Sequence, residues 1–195
     1  MYIIKNSIVY LLSIFLAIIL YKYISKKKLK FARTKTICIT IIFLFVVFFS
    51  LNTFVSFSTP EEAYRFNYEG KIEFIVEGQE TALVIAYDNS DKRTAIVTKS
   101  AEKWKAGAGY QTKTVSQLFK DDIGMVVLNY NNSKDYYVLI SCLNDRIYSV
   151  EDSMNSSFTF SDDGRSCCAV IEDYDELYSV IVNRQSGDTV LGNNV

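Results

Sequence analysis

Ala82-Leu83-Val84-Ile85-Ala86-Tyr87, then Asp88-Asn89-Ser90-Asp91, then Thr94-Ala95-Ile96-Val97 is the stretch that decides how this chain folds. A short apolar run rich in β-branched residues is stopped by four turn formers and answered by a second run, which is the signature of a β-hairpin. The first run is apolar on successive residues, so both of its faces should be covered. The pattern recurs downstream. Met125 to Tyr130 precedes Asn131-Asn132-Ser133-Lys134, and Tyr136 to Ile140 follows. Ala169 to Tyr174 precedes Asp175-Glu176, and Tyr178 to Val182 follows. Tyr87, Tyr130 and Tyr174 close the first strand of each hairpin and lie 43 and 44 residues apart.

A further apolar run precedes each hairpin (Ile72 to Val76, Thr114 to Phe119, Phe158 to Phe160), and a weaker strand candidate follows each (Lys103 to Ala106, Arg146 to Val150, Thr189 to Leu191). Residues 71–195 are therefore expected to form a mainly β domain, an antiparallel meander of three four-strand units. Three units are too few for an ordinary propeller, so the expected closure is trefoil-like or a curled barrel.

Immediately upstream, Ser58-Thr59-Pro60-Glu61-Glu62 reads as a helix start, with Thr59 as cap, Pro60 at the first helical position and Glu62 completing a capping box. The helix should be short, within residues 58–70 and ending near Phe66. Paired Glu61 and Glu62 are explained by the positive end of the helix dipole.

Residues 1–57 differ in kind. They carry 8 basic and no acidic residues, leaving 13 basic against 22 acidic residues in the remainder. Seven of the basic residues form one strip: Lys22, Lys26, Lys27, Lys28, Lys30, Arg33 and Lys35. Apolar runs flank it, Ile8 to Tyr21 and Ile37 to Phe57. The expectation is two transmembrane helices joined by a basic cytoplasmic loop (22–35), because short loops rich in Lys and Arg stay inside. That arrangement implies a multi-pass cell-membrane protein with both termini extracytoplasmic. The strip would then touch membrane lipids through anionic headgroups rather than nucleic acid. A cleaved signal peptide fits less well, since its basic residues should precede the apolar run.

Nothing in the sequence assembles into an active site. With no histidine there is no Ser-His or Cys-His pair and no imidazole base. Carboxylate pairs remain as candidates: Asp121 with Asp122, Asp162 with Asp163, and the acidic residues from Glu172 to Glu176. Of these, Asp121 to Gly124 and Asp162 to Gly164 sit at turns, where Asp serves local backbone hydrogen bonding. Ser161-Asp162-Asp163-Gly164 lacks the alternating ligands of a calcium loop, and Gly107-Ala108-Gly109 lacks the continuation of a phosphate loop. No catalytic residue, metal ligand or cofactor is assigned on these grounds.

Of the four cysteines, Cys38 lies in the second apolar run. If the others form a disulfide, it joins Cys142 to one of Cys167 and Cys168, since neighbours on a strand point to opposite faces. The alternative is three thiols that merely pack.

The opening Thr59-Pro60-Glu61-Glu62-Ala63 resembles the S/T-P-E-E-A start of small membrane-anchored extracytoplasmic β-rich proteins of Gram-positive bacteria. The resemblance extends through Lys103-Trp104-Lys105 and supplies a setting but no site residues. This chain departs from the single-anchor plan of those proteins by its two apolar runs. The functional expectation is a non-catalytic, membrane-anchored binding, sensing or immunity-type protein with an envelope or membrane protein partner. The alternative is a cell-envelope hydrolase using a carboxylate pair or a calcium-dependent site.

Overall fold

The structure, a computed structural model, describes residues 55–88, 91–106, 112–175 and 177–192, together with scattered positions between 7 and 46. Twelve strands among the described residues form three antiparallel sheets. The first holds β1 (Lys71–Glu77), β2 (Thr81–Asp88), β3 (Asp91–Ser100) and β4 (Lys103–Lys105) in chain order. The second is built from β5 (Thr112–Lys120), β6 (Ile123–Tyr130), β7 (Tyr136–Cys142), β9 (Thr159–Phe160) and β10 (Ser166–Ile171), in the order β5-β6-β7-β10-β9. The third runs β12-β11-β8, from β8 (Ile147–Asp152), β11 (Ser179–Arg184) and β12 (Thr189–Gly192).

A helix, α1 (Pro60–Asn67), is packed on the first sheet. Thr59 caps it by accepting from Glu62 N at 3.2 Å. Glu62 reaches back one residue further than a capping box requires, taking Ser58 N at 3.0 Å.

The layers follow from the two-residue period of the strands. Ala82, Val84 and Ala86 of β2 face α1 and Trp104, whereas Leu83 and Ile85 face Tyr137 and Cys168 of the second sheet. The second sheet is likewise covered twice. Tyr137 and Cys168 meet the first sheet, while Val138, Ile140 and Cys167 pack on Val180, Val182 and Leu191 of the third. Helix, sheet, sheet and sheet are stacked in that order. Continuous apolar runs in β2 and β10 are thus central strands with no solvent face.

Two of the three expected hairpins form, β2 with β3 and β6 with β7. The third does not. β10 pairs with β7 and β9, and β11 pairs with β12 and β8, so the segment after Ile171 carries the chain from the second sheet to the third. The sheets accordingly hold four, five and three strands, not three equal units.

The expectation of two membrane-spanning helices is overturned. Among the described residues no helix is long and apolar enough to cross a membrane. The cell-membrane, multi-pass placement with both termini outside falls with it. Part of the reason lies at the end of the second run, where Val55 to Phe57 is not helical. Phe57 instead exchanges backbone hydrogen bonds with Trp104 (2.8 and 2.9 Å) and packs its ring tilted against that of Phe66, with centroids 5.1 Å apart. Its hydrophobicity belongs to the core of the β domain. Of the basic strip only Lys22 is described, and it is exposed; Lys26, Lys27, Lys28, Lys30, Arg33 and Lys35 lie outside the described residues, as do half of the first apolar run and more than half of the second.

The β3–β4 turn has a sequence that local rules would not choose. Ala101 and Glu102 both adopt positive φ, 48° and 61°, as a two-residue primed turn demands. Asn131 and Asn132 do the same after β6, with side chains suited to it. Replacing Ala101-Glu102 by Asn-Gly should stabilise the domain by about 1–2 kcal/mol, the usual cost of left-handed backbone with a Cβ. The urea midpoint should rise with an unchanged slope. No rise would show that the strands impose this turn without strain.

Candidate functional site

β1 carries a bulge. Its register with β2 steps from Ile72↔Ala86 to Phe74↔Ile85, leaving Glu73 as the extra residue. Bulges re-aim side chains and occur disproportionately beside functional sites. Here Glu73 lines a cavity of about 210 Å³ together with Lys71, Tyr87, Asp162 and Asp163. Lys71 and Lys92 are the cross-strand partners of Tyr87 on β1 and β3. The two aspartates come from the β9–β10 turn, which closes the cleft from the second sheet.

That turn is rigid. Ser161 N donates to Ser166 O at 2.8 Å, Ser166 N donates to Ser161 Oγ at 2.9 Å, and Gly164 supplies the φ of 69°. Asp163 Oδ1 accepts from Arg165 N (2.9 Å) and Ser161 Oγ (2.7 Å), and these bonds hold its carboxyl below the usual range.

Glu73 is the exception among the carboxylates. Its Oε2 is buried and has no hydrogen-bond partner. Burial pushes its pKa up; Lys92 opposes this, Asp163 and Asp162 reinforce it, and a hydrogen bond with Tyr87 opposes it weakly. Lys92 does not form an ion pair with it among the described residues. Its Nζ donates to Ser166 Oγ at 2.8 Å instead. Lys92 is exposed as a residue, yet desolvation of its ammonium lowers its pKa against the pull of Glu73 and Asp163.

Asp135, by contrast, is fully spent on structure. It is 0% exposed, and its carboxylate accepts from Gln79 N (2.9 Å), Glu80 N (2.8 Å), Thr81 N (2.7 Å) and Thr81 Oγ1 (2.8 Å). Successive backbone N–H groups cradle an anion in this way. The cradle is the β1–β2 turn and the anion comes from the loop before β7, so one carboxylate ties the first two sheets together. A Cβ at Gly78 would overlap the Asp135 carboxyl, which accounts for glycine there.

The other carboxylate candidates also serve the scaffold. Asp121 and Asp122 do not form a pair acting together: Asp121 occupies a positive-φ turn position (54°), and Asp122 binds Arg184 at 2.6 Å. Arg184 holds the Asp122 carboxyl below its usual range and also donates to Thr189 Oγ1 at 2.8 Å, joining the second and third sheets. Glu172 accepts from Gln79 Nε2, and Asp175 accepts from Leu177 N at 2.8 Å. Glu176 and Gly107 to Gly109 lie outside the described residues. Of the expected pairs, Asp162 with Asp163 borders this cavity, and it does so with Glu73. No group of three or more His, Cys, Asp or Glu among the described residues is placed to hold a metal.

Cys142, Cys167 and Cys168 are buried free thiols. Cys142 and Cys167 face the core shared with the third sheet, and Cys168 the core shared with the first. Cys142 Sγ donates to Asp122 Oδ2 at 3.5 Å. Burial pushes Cys167 up to about 12 and Cys168 well above its ordinary value. Both should therefore stay silent toward an aromatic disulfide reagent at pH 8 in the folded protein and react at once on unfolding. Rapid labelling of either in the native state would contradict their burial.

Glu73, Lys92 and Ser166 were not legible as a site from sequence. One signal was present: Phe74-Ile75 after Glu73 breaks the alternation of Lys71 to Val76, which is how a bulge looks in one dimension. Compared with known proteins, the chain matches no family, no curated protein and no solved structure.

Proposed function

We propose that the β domain is a non-catalytic binding module whose ligand or partner group enters the cleft at Glu73. The observation that carries this reading is the buried, unpartnered Oε2 of Glu73 at a bulge bordering a cavity. Buried polar atoms are nearly always satisfied, so this exception singles out the cleft beside Glu73 as the candidate site. The excess of acidic residues beyond position 57 disfavours nucleic acid, whose phosphates such a surface repels.

One observation favours a second, hydrolytic reading. Lys92 Nζ lies 2.8 Å from Ser166 Oγ, the residue types and separation of a serine–lysine nucleophile pair, with a lysine pKa lowered by burial. The ammonium here donates to the hydroxyl, however, where a base would accept from it. Against it, Ser166 is only 4% exposed and its main chain is tied to Ser161. A carboxylate dyad finds no support in the pairs described above.

A charge-balanced fragment library titrated into ¹⁵N-labelled protein tests the binding reading. Hits should move the amides of Glu73, Tyr87 and Asp163 in common, and a fluorophosphonate should leave Ser166 unlabelled. Fragment hits confined to other surfaces would contradict the assignment. Labelling of Ser166 that vanishes in Lys92→Met would replace binding with hydrolysis.

A further inference from the structure

We propose that Lys92 is a two-position switch, tying the first sheet to the β9–β10 turn while Glu73 is neutral and moving onto Glu73 once that carboxylate ionises. The switch uses the fold's own groups and does not depend on what enters the cleft.

One ammonium stands between two acceptors. Lys71, Tyr87 and Lys92 are direct partners across β1, β2 and β3, so they share one face of the first sheet. The bulge adds Glu73 to the wall that Lys71 and Tyr87 line, and Tyr87 hydrogen-bonds its carboxylate. Lys92 is thus the cross-strand neighbour of the tyrosine that holds Glu73. Its Nζ nevertheless donates to Ser166 Oγ at 2.8 Å, and the buried Glu73 Oε2 is left without a partner.

That arrangement suits a neutral Glu73. Once the carboxyl ionises, the ammonium gains more from a carboxylate than from a hydroxyl. Lysine carries rotatable donors on a flexible four-carbon stem, so the move asks for side-chain rotation alone. Its consequence is structural. The bond to Ser166 crosses from β3 to β10, whereas a bond to Glu73 runs between β3 and β1. Ionisation exchanges a tie between two sheets for one within the first sheet. The β9–β10 turn, which sets Asp162 and Asp163 on the cleft wall, then loses a tether.

Glu73 is the group placed to throw the switch. Burial raises its pKa from 4.5, with Asp162 and Asp163 facing it from the turn and Lys92 opposing them. Lys92 faces Glu73, Asp163, Cys167 and Cys168, and burial lowers its pKa against all four. Among these neighbours Tyr87 and both thiols are pushed up, Cys167 to about 12, and Asp163 is held down by its hydrogen bonds.

Amide hydrogen exchange of the full chain between pH 4 and 8, corrected for the intrinsic rate, tests the switch. Protection of Ser161, Gly164 and Ser166 should fall roughly fivefold as pH rises through a single transition above 4.5. Glu73→Gln should keep the turn protected throughout. Lys92→Met should leave it weakly protected throughout, with circular dichroism showing that each variant is folded. Asp162→Asn should retain the wild-type transition. A transition that survives in Glu73→Gln or in Lys92→Met would overturn the proposal. So would one that vanishes in Asp162→Asn, or protection in the wild type that is the same at every pH.

Discussion

Replacing Asp135 with Ala is expected to lower folding stability by about 4 kcal/mol, the largest effect of any single polar substitution in the domain. The loss has a specific origin. Three consecutive backbone N–H groups and the Thr81 hydroxyl would lose their acceptor inside the protein. Each unsatisfied buried donor costs roughly 1–3 kcal/mol, and hydrogen bonds to a charged partner are the stronger kind. The terms do not add fully, because a water can enter the space and the turn can relax. Asp135→Asn should cost about half as much, since its carbonyl still accepts while its amide opposes the N–H groups. Urea unfolding at neutral pH measures both. Asp162→Asn, whose parent makes no such bonds, is the control and should stay near wild type. A loss below about 1 kcal/mol for Asp135→Ala would mean that the first two sheets are held together by apolar packing alone.

Trp104→Ala should cost about 3–5 kcal/mol, the range for removing a large buried aromatic. Trp104 is 4% exposed on the short strand β4 and seals the core between α1 and the first sheet. Its backbone also holds Phe57 in an isolated antiparallel bridge. Removing the indole should therefore loosen residues 55–57 along with the strand. Hydrogen exchange would register this as early opening of Phe57 and Lys103 to Lys105, beyond the global loss read from circular dichroism. Trp104→Phe, which keeps most of the apolar area, should recover more than half of the loss. A small effect for the Ala variant would show that α1 docks without this core.

Much of the β architecture was legible because it is written locally. Val, Ile and Tyr in short runs, with Asn, Asp and Ser between them, predict strands and turns. The unbroken apolar stretch Ala82 to Ala86 announced a strand covered on both faces, and α1 and the second sheet cover it. Strand partnership is not local. The segment from Asp173 to Leu177 suits a hairpin turn and a crossover equally; in the fold β10 takes a central place between β7 and β9, where its apolar run is covered on both faces by the first and third sheets. The apolar run ending at Phe57 misled for a related reason. Hydrophobicity says that a residue avoids water and leaves open whether lipid or a protein core shields it. Glu73 and Asp135 illustrate the same limit for sites. In one dimension each is an acidic residue near a turn or strand end, and only the fold separates the carboxylate that is fully bonded from the one left with a free oxygen.

The central claim is that Glu73 is kept for an occupant of the cleft and not for the fold, and stability against pH tests it most directly. Burial holds the folded-state pKa of Glu73 above its ordinary 4.5, so the fold disfavours its ionised form. The cost of ionisation is absent below that ordinary value and complete above the raised one, which means wild-type stability should fall as pH rises through the interval. Glu73→Gln cannot ionise and escapes that loss. The groups that set the shift besides burial, namely Lys92, Asp163, Asp162 and Tyr87, are present in both proteins. Urea unfolding of the two proteins between pH 4 and 7 should give equal stabilities at the acidic end and a more stable Glu73→Gln at neutrality. If the variant is instead the less stable at neutral pH, Glu73 is a scaffold carboxylate like Asp135, and the cleft has lost its claim to be a binding site.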